Sequence, residues 1–268
     1  MNAGSSSDEP LSAGIEVQVA SRLAIVKLNQ PARRNAISLA MWKGLANTFE
    51  RLSADPEVRA IILTGEGNDF SVGADISEFA RERADARQAT EYESAVDACT
   101  EAIQASKRPT IAALHGYCLG GACHLALACD FRIGAGTLKM GIPAARLSIV
   151  YGVRSTQRLL SIVGLSAAKR ILFAAEQLPG VEALRLGLID RLANSAVEEA
   201  RAFAAPMIEN APLSIAGAKT ILNALASGSG TLDPIVAETL IAQAAQSEDY
   251  SEGRNAFAAK RKPDFKGR

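Results

Sequence analysis

Two glycine-bearing segments carry the residues best suited to chemistry in this chain. The first is YCLGGA at residues 117–122, where Gly120 and Gly121 separate a short apolar run from an Ala/Leu-rich helix pattern. A helix start leaves backbone N–H groups without partners and carries positive partial charge, and glycine lets a bound group approach the main chain. The segment therefore predicts an anion or oxyanion site. His124, one of two histidines, lies in the first turns of the same helix.

The second segment is FSVGAD at residues 70–75, which also follows a run typical of a buried strand. Motifs for several other chemistries are missing from the sequence. No GxGxxG follows a strand as in a dinucleotide-binding site, and no lysine follows Gly116 or Gly121 as in a phosphate-binding loop. Neither the GxSxG motif of serine hydrolases nor the HExxH motif of zinc proteases occurs. We therefore expect the chemistry to use the backbone of two glycine loops.

Alternating strand and helix patterns must position these loops. Residues 15–28 predict a hairpin around Ser21 and Arg22, and Ser38 is expected to cap a helix over residues 39–53. Further patterns follow along the chain, with strands at 58–64, 110–114 and 131–133 and helices at 91–106 and 122–128. This alternation continues to about residue 192 and predicts an α/β core.

From Glu198 onward the pattern is helical throughout. We therefore predict three parts: a disordered leader at residues 1–13, a core at 14–195 that holds the site, and a helical C-terminal region at 196–268. The N-terminal stretch MNAGSSSDEPLSAG, which contains this leader, lacks the basic and apolar regions of a secretory signal.

Composition narrows the class of protein and of partner. The 268 residues are 48% hydrophobic, and 29 basic residues balance 29 acidic ones, so neither nucleic acid nor a membrane is an expected partner. Three of the four cysteines (Cys118, Cys123 and Cys129) cluster at one helix start, which suits a reducing, cytoplasmic setting better than disulfides. No CxxC pair is present, and adjacent residues 123 and 124 diverge by about 100° around a helix, so we expect no metal site.

Six segments in this order resemble those of the crotonase superfamily, the enoyl-CoA hydratase/isomerase family. They are LNQPARRNAIS, ILTGEGNDFSVGADISEF, RPTIAALHGYCLGGACHLALACDFRI, MGIPAARLSIVYGVRSTQRL, ILFAAEQLPGVEALRLGLIDRL and EDYSEGRNAFAAKRKPDFKGR. The resemblance implies an α/β crotonase fold, a spiral of ββα units with a C-terminal helical trimerisation region. It also implies a homotrimer or a dimer of trimers.

The resemblance implies an acyl-CoA thioester substrate, with coenzyme A as part of that substrate and no separate cofactor. Its carbonyl oxygen would lie between the N–H groups of Ala74 and Gly121, which would stabilise an enolate or a tetrahedral oxyanion. The residues implied to bind coenzyme A are Ala32, Arg33, Arg34, Ala36, Asp75, Ile76, Phe257 and Lys260.

Two departures from the family pattern concern proton transfer. Hydratases of this family use two glutamates, and here His124 and Ala144 occupy those positions. Alanine cannot move a proton, whereas a neutral histidine at a helix start could accept or relay one. Tyr151 is a second candidate, because some crotonase-fold decarboxylases carry a tyrosine near this place. Each could instead be a packed core residue, His124 on a backbone carbonyl and Tyr151 beneath the acyl pocket.

The leading interpretation is an acyl-CoA enzyme that forms an enolate-like intermediate, with His124, and Tyr151 or water, handling the proton. Decarboxylation or C–C hydrolysis on the same fold is the first alternative, since decarboxylation needs no base at Ala144. A non-catalytic protein that binds coenzyme A is the second.

Overall fold

The computed structural model describes residues 14–82, 84–226 and 233–268, so the predicted leader at 1–13 lies outside the described residues. The strands are β1 Ile15–Ala20, β2 Leu23–Leu28, β3 Ala60–Gly65, β4 Thr110–Leu114, β5 Tyr117–Leu119, β6 Phe131–Ala135, β7 Lys139–Gly141, β8 Leu178–Pro179 and β9 Arg191–Ala193. Among these residues, no helix has the length and apolarity needed to cross a bilayer.

The helices begin with α1 Leu39–Ala54, α2 Phe79–Glu82, α3 Ala86–Ala105, α4 Gly121–Ala128 and α5 Val153–Ala174. They continue with α6 Gly180–Arg185, α7 Ala196–Glu209, α8 Pro212–Ala226, α9 Pro234–Gln246 and α10 Glu248–Ala258. Short 3₁₀ turns occur at Pro31–Arg33, Ile76–Glu78 and Pro143–Leu147.

A six-stranded sheet in the order β1-β2-β3-β4-β6-β9 forms the centre of the molecule. Only β1 runs antiparallel to its neighbour, and every residue of β3 and β4 is buried, as expected of parallel strands covered on both faces. A second sheet, β5-β7-β8, carries the segment that leads into α4. Strands followed by helices thus repeat along residues 14–195, which confirms the predicted α/β class.

Local sequence signals explain several elements. Ser21 and Arg22 both adopt positive φ, as a two-residue turn between right-twisted antiparallel strands requires, so the predicted hairpin is confirmed. Ser38 caps α1 as predicted, because its hydroxyl accepts a hydrogen bond from the N–H of Met41 at 3.1 Å. The helix predicted at 91–106 is longer than expected, because it is capped by Asp85 and begins at Ala86, five residues before the predicted start.

The sequence patterns above do not predict α5, which begins at Val153, two residues after Tyr151. It is kinked at Gly164, whose φ of 75° is left-handed, so no continuous 3.6-residue period runs through it. This helix is important for the site, because its first two turns face α4.

One of the C-terminal helices, α7, packs directly against the core sheet. Ala196, Ala200 and Ala204 of α7 share a buried cluster with Ile62 and Ile111 of the sheet. The spacing of four residues places the three alanines on one face of α7. The predicted domain boundary near residue 195 stays a prediction, and α7 packs as a layer on the sheet.

Candidate active site

The two glycine segments predicted from sequence lie against each other. A β-bridge joins Ser71 to Cys118, and Gly73 adopts a φ of 92°. A Cβ on Gly73 would come 2.4 Å from the carbonyl oxygen of Leu119 and 3.0 Å from the nitrogen of Gly121. Residue 73 must therefore be glycine for both loops to keep this approach.

This approach brings the N–H groups of Ala74 and Gly121 to one place. The nitrogen of Ala74 lies 3.4 Å from the point that a Cβ on Gly121 would occupy. Neither N–H donates to an acceptor among the described residues. Gly121 is the first residue of α4, and the first N–H groups of a helix have no acceptor within the helix. Two adjacent unpartnered donors form the geometry that stabilises a developing oxyanion.

Asn35 holds the first loop in place and is a residue that the sequence analysis missed. Its side-chain amide donates to the carbonyl oxygens of Glu66 at 2.9 Å and Asp69 at 2.7 Å, and its own carbonyl accepts from the Ser71 hydroxyl at 2.6 Å. The side chain is fully buried and the residue has positive φ, which asparagine tolerates better than most residues. Asn35 therefore fixes the strand exit that leads to Ala74.

A cavity of about 120 Å³ opens beside the two N–H groups. Its wall is mostly apolar and includes Trp42, Ile76, Phe79, Val96, Leu147 and Ile149. The polar side chains that line it within the described residues are those of Tyr92, Glu93, His124, Tyr151 and Ser155. A small apolar cavity with a few convergent polar groups is the usual form of a ligand site.

His124 lies in the wall of this cavity and is 3% exposed. Arg158 Nη1 lies 2.8 Å from His124 Nε2, and the Ser155 hydroxyl oxygen lies 2.9 Å from Nδ1 and 3.0 Å from Nε2. Because a guanidinium can only donate, we assign the lone pair to Nε2 and the proton to Nδ1, which donates to Ser155. Burial, and then the charge of Arg158, lower the pKa of His124 to about 3.

The imidazole is therefore neutral near pH 7, as expected from sequence, but for a different reason. Desolvation and Arg158 hold it neutral, where the sequence argument relied on the helix dipole. Its one lone pair faces a cation. The predicted role of His124 in proton transfer is untested by this arrangement and stays a prediction.

Tyr151 stands beside His124, with ring centroids 6.1 Å apart. Its hydroxyl oxygen is buried and has no hydrogen-bond partner among the described residues. Burial is the main cause that raises the pKa of Tyr151, so the phenol keeps its proton. An unpartnered O–H on the wall of a small cavity is suited to donate to a bound group.

Ala144 lines the same cavity from the 3₁₀ turn after β7 and brings no titratable group. Glu93, on α3, was not predicted as a site residue; it is the only carboxylate among the described residues that line the cavity. Its neighbour Tyr92 is fixed by a hydrogen bond from Trp42 Nε1 to its hydroxyl at 3.0 Å.

Arg158 and Ser155 were also missed, because α5 was not predicted. Ser155 and Arg158 are three residues apart on one face of α5, and Tyr151 lies four residues before Ser155, just ahead of the helix; this spacing is the signal that relates the three in the sequence. The arginines considered from sequence lie elsewhere: Arg146 is exposed, and Arg154 pairs with Glu101.

The predicted coenzyme A residues fall into two groups. Arg33 forms an ion pair with buried Asp75 at 2.6 Å and also donates to the hydroxyl of Ser77. Ala32, Arg34 and Ala36 belong to the same segment, in which Arg34 lies over the ring of Tyr117, and Ile76 is an exposed part of the cavity wall. These residues lie on the two strand exits that flank Ala74.

Phe257 lies in the last turn of α10 and Lys260 lies just beyond the helix; neither lines this cavity. Phe257 is 88% exposed and borders a separate cavity of about 780 Å³ between α8, α9 and α10. Their predicted role in binding coenzyme A stays a prediction.

Comparison with known proteins adds an independent result. Residues 18–268 match the family model for enoyl-CoA hydratase/isomerase. The 2,3-dehydroadipyl-CoA hydratase of Escherichia coli is 33% identical over 92% of this chain and 96% of its own, and the short-chain-enoyl-CoA hydratase of Clostridium acetobutylicum is 31% identical over 92% and 95%.

Among solved structures, an enoyl-CoA hydratase/carnithine racemase from Magnetospirillum magneticum superposes with a TM-score of 0.89 at 33% identity, covering 95% of this chain and 96% of its own. The predicted crotonase fold is thereby confirmed. The match spans both glycine loops, the cavity wall and the C-terminal helices. This chain therefore belongs to the enoyl-CoA hydratase/isomerase family and is an enzyme of that family.

Proposed function

We propose that the chain binds an acyl-CoA thioester with its carbonyl oxygen between the N–H groups of Ala74 and Gly121, and stabilises an enolate there. The observation that carries this proposal is the pair of adjacent, unpartnered N–H groups on one cavity. Main-chain donors fixed before the substrate arrives are the most effective stabilisers of such charge, and each is worth about 10²–10³ in rate.

The coenzyme A moiety is proposed to lie along the Arg33–Asp75 pair. The guanidinium of Arg33 is half exposed while Asp75 orients it, which suits contact with a phosphate. Phe257 and Lys260 would contribute from α10 of the same or a neighbouring chain in a homotrimer or dimer of trimers. The oligomer and the cytoplasmic location are family-based predictions.

The departures at residues 124 and 144 argue against two-glutamate hydration. Ala144 has no proton to move, and the lone pair of His124 faces Arg158. Tyr151 has a buried O–H with nothing to donate to among the described residues. We therefore assign proton donation to Tyr151, and His124 to the cavity wall.

Decarboxylation of an acyl-CoA is the second candidate, and Ala144 is the observation that favours it. Loss of CO₂ leaves the electron pair on the carbon beside the thioester, so the reaction needs an oxyanion site and one proton donor but no base. C–C hydrolysis would in addition need an activated water.

A substrate panel tests the proposal. Crotonyl-CoA and malonyl-CoA should be given to the protein, with loss of enoyl absorbance and release of CO₂ as readouts. We expect slow hydration or none, and turnover of malonyl-CoA that falls by about 10²-fold or more in Tyr151→Phe, the usual loss when a general acid is removed. His124→Ala, the matched cavity-wall control, should lose less.

Rapid crotonyl-CoA hydration that disappears in His124→Ala would contradict this assignment and restore His124 as the proton-transfer group. Tight binding of coenzyme A thioesters without turnover of any substrate would instead support the non-catalytic interpretation.

A further inference from the structure

We propose that Glu93 of α3 is the proton acceptor of this site, taking the place of the carboxylates that are absent at residues 124 and 144. This inference rests on the proposed function, because it presupposes a thioester bound at Ala74 and Gly121. It concerns a residue outside the two segments that carry the glycine loops.

The first argument is elimination among the groups that line the cavity. Tyr151 keeps its proton because burial raises its pKa, so it can donate and not accept. The lone pair of His124 is directed at Arg158. Among the described residues of the wall, Glu93 is then the remaining side chain whose ionised form accepts a proton, since hydroxyls of serine and tyrosine are weaker bases.

The second argument is the position of Glu93 on α3. Tyr92 and Val96 are buried on the face of the helix that packs beside the cavity. Glu93 lies at the edge of this face, three residues before Val96 and next to Tyr92. The residue is exposed to solvent and also lines the cavity.

The third argument is that α3 is anchored at this point. Trp42 of α1 donates to the hydroxyl of Tyr92 at 3.0 Å, and the Trp42 ring lies 3.1 Å from where a Cβ on Gly121 would be. One buried aromatic side chain thus bonds to the helix of Glu93 and packs beside Gly121. The helix that carries Glu93 is thereby attached to the core beside Gly121 through a buried side chain and not through a loop.

Charge supports the same placement. After burial and Cys123, the negative charge of Glu93 is a further cause that raises the pKa of Tyr151. The charge of Glu93 thus adds to burial, which is the main reason that the phenol keeps its proton. Glu93, Tyr151 and the N–H groups of Ala74 and Gly121 all border the same small cavity. Moving a proton along an acyl chain requires a proton acceptor and a proton donor placed together in this way.

The step balances within the substrate and Glu93. The carbon next to the thioester carbonyl loses a proton, its C–H bond breaks, and an O–H bond forms on the Glu93 carboxylate. The electron pair of the C–H bond becomes the enolate, whose charge rests on the oxygen between Ala74 and Gly121. Return of a proton to the same carbon exchanges it with solvent, and return two carbons further along an enoyl chain moves the double bond.

Deuterium exchange tests the step without knowledge of the natural acyl group. Butyryl-CoA is incubated with the full-length protein in D₂O, and deuterium at its second carbon is followed by mass spectrometry. We expect exchange by the unmodified protein, a loss of about 10²-fold or more in Glu93→Gln, and partial recovery in Glu93→Asp. Affinity for butyryl-CoA should stay within about threefold, because the group acts on the proton.

Glu91→Gln is the matched control. Glu91 is two residues away on the same helix, is exposed, pairs with Arg87 at 2.5 Å and does not line the cavity. It should exchange at the rate of the unmodified protein. Equal exchange by Glu93→Gln and the unmodified protein would overturn the role of Glu93 and leave the proposed function standing.

Two other outcomes separate the proposals. Turnover of malonyl-CoA without any exchange of butyryl-CoA would also overturn the role of Glu93 alone. Absence of binding to any coenzyme A thioester would instead remove the proposed function itself.

Discussion

At the scale of single residues, the site combines groups that sequence motifs identify with groups that only packing identifies. Ala74 and Gly121 follow from the family motifs, because a backbone donor depends on local chain conformation. Arg158 and Glu93 come from helices distant in sequence, and no local pattern states which residue of an amphipathic helix will border a cavity. The neutral state of His124 could be predicted, but its cause could not.

The buried imidazole should make stability depend on pH. In the unfolded chain His124 binds a proton below its ordinary pKa of 6.5, whereas in the folded protein its pKa is about 3. The unfolded state then holds more protons between these values, so the free energy of unfolding falls as the pH falls from 6.5 toward 3. The slope from this group is at most about 1.4 kcal/mol per pH unit.

His124→Gln removes this contribution and leaves the other titrating groups in place. The free energy of unfolding is measured by chemical denaturation at a fixed protein concentration and at several pH values across about 3 pH units below neutrality. It should depend less steeply on pH in the variant than in the unmodified protein. Parallel curves for the two proteins would mean that His124 takes up its proton at the same pH in the folded and unfolded states.

At the scale of elements, the site depends on how closely two strand exits approach. The hairpin, α1 and the α/β alternation were predicted, because each has a local signal in capping, turn or apolar period. The contact between the two glycine segments was implied only by the family resemblance. Gly73 meets Leu119 through tertiary structure, which no local sequence pattern describes. Helix α5 was missed because Gly164 interrupts its period.

Gly73→Ala should disturb both the stability of the protein and the placement of the N–H groups of Ala74 and Gly121. Its Cβ would meet the carbonyl oxygen of Leu119 at 2.4 Å with φ at 92°, so the loops must separate. We expect a loss of about 1–3 kcal/mol in the free energy of unfolding, the usual range for such backbone strain, together with weaker thioester binding. Calorimetric titration with butyryl-CoA and denaturant unfolding measure the two effects.

Gly136→Ala serves as the control for that substitution. A Cβ at this glycine meets nothing within 4 Å, so both properties should stay unchanged. If Gly73→Ala bound butyryl-CoA as well as Gly136→Ala does, the requirement for glycine at residue 73 would be refuted.

At the scale of the whole molecule, the C-terminal helices are tied to the core by a buried cation. Lys219 of α8 donates to Asp130 at 2.8 Å and to the carbonyl oxygen of Arg108 at 3.1 Å, and its side chain is 8% exposed. Asp130 in turn accepts from the N–H of Thr110 at the start of β4. The change to an all-helical pattern was visible in sequence, but this attachment was not, because its partners lie about 90 residues apart.

Lys219→Met should destabilise the protein by about 3–5 kcal/mol, because it leaves the Asp130 carboxylate without its buried partner. Lys262→Met removes the exposed pair with Glu209 at 2.5 Å and should change stability by less than about 1 kcal/mol. Denaturant unfolding of both variants measures the difference. Similar losses in the two would show that the Lys219 contact contributes no more than a surface ion pair.

The alanine face of α7 has a consequence for biosynthesis. All six strands of the large sheet precede α7 in the chain, so they leave the ribosome before the helix that covers their second face. Until about residue 204 has emerged, Ile62, Ile111 and their neighbours are left facing water. The nascent chain thus passes through a stage with an uncovered apolar sheet, in which binding by a chaperone or association with another nascent chain competes with completion of the core.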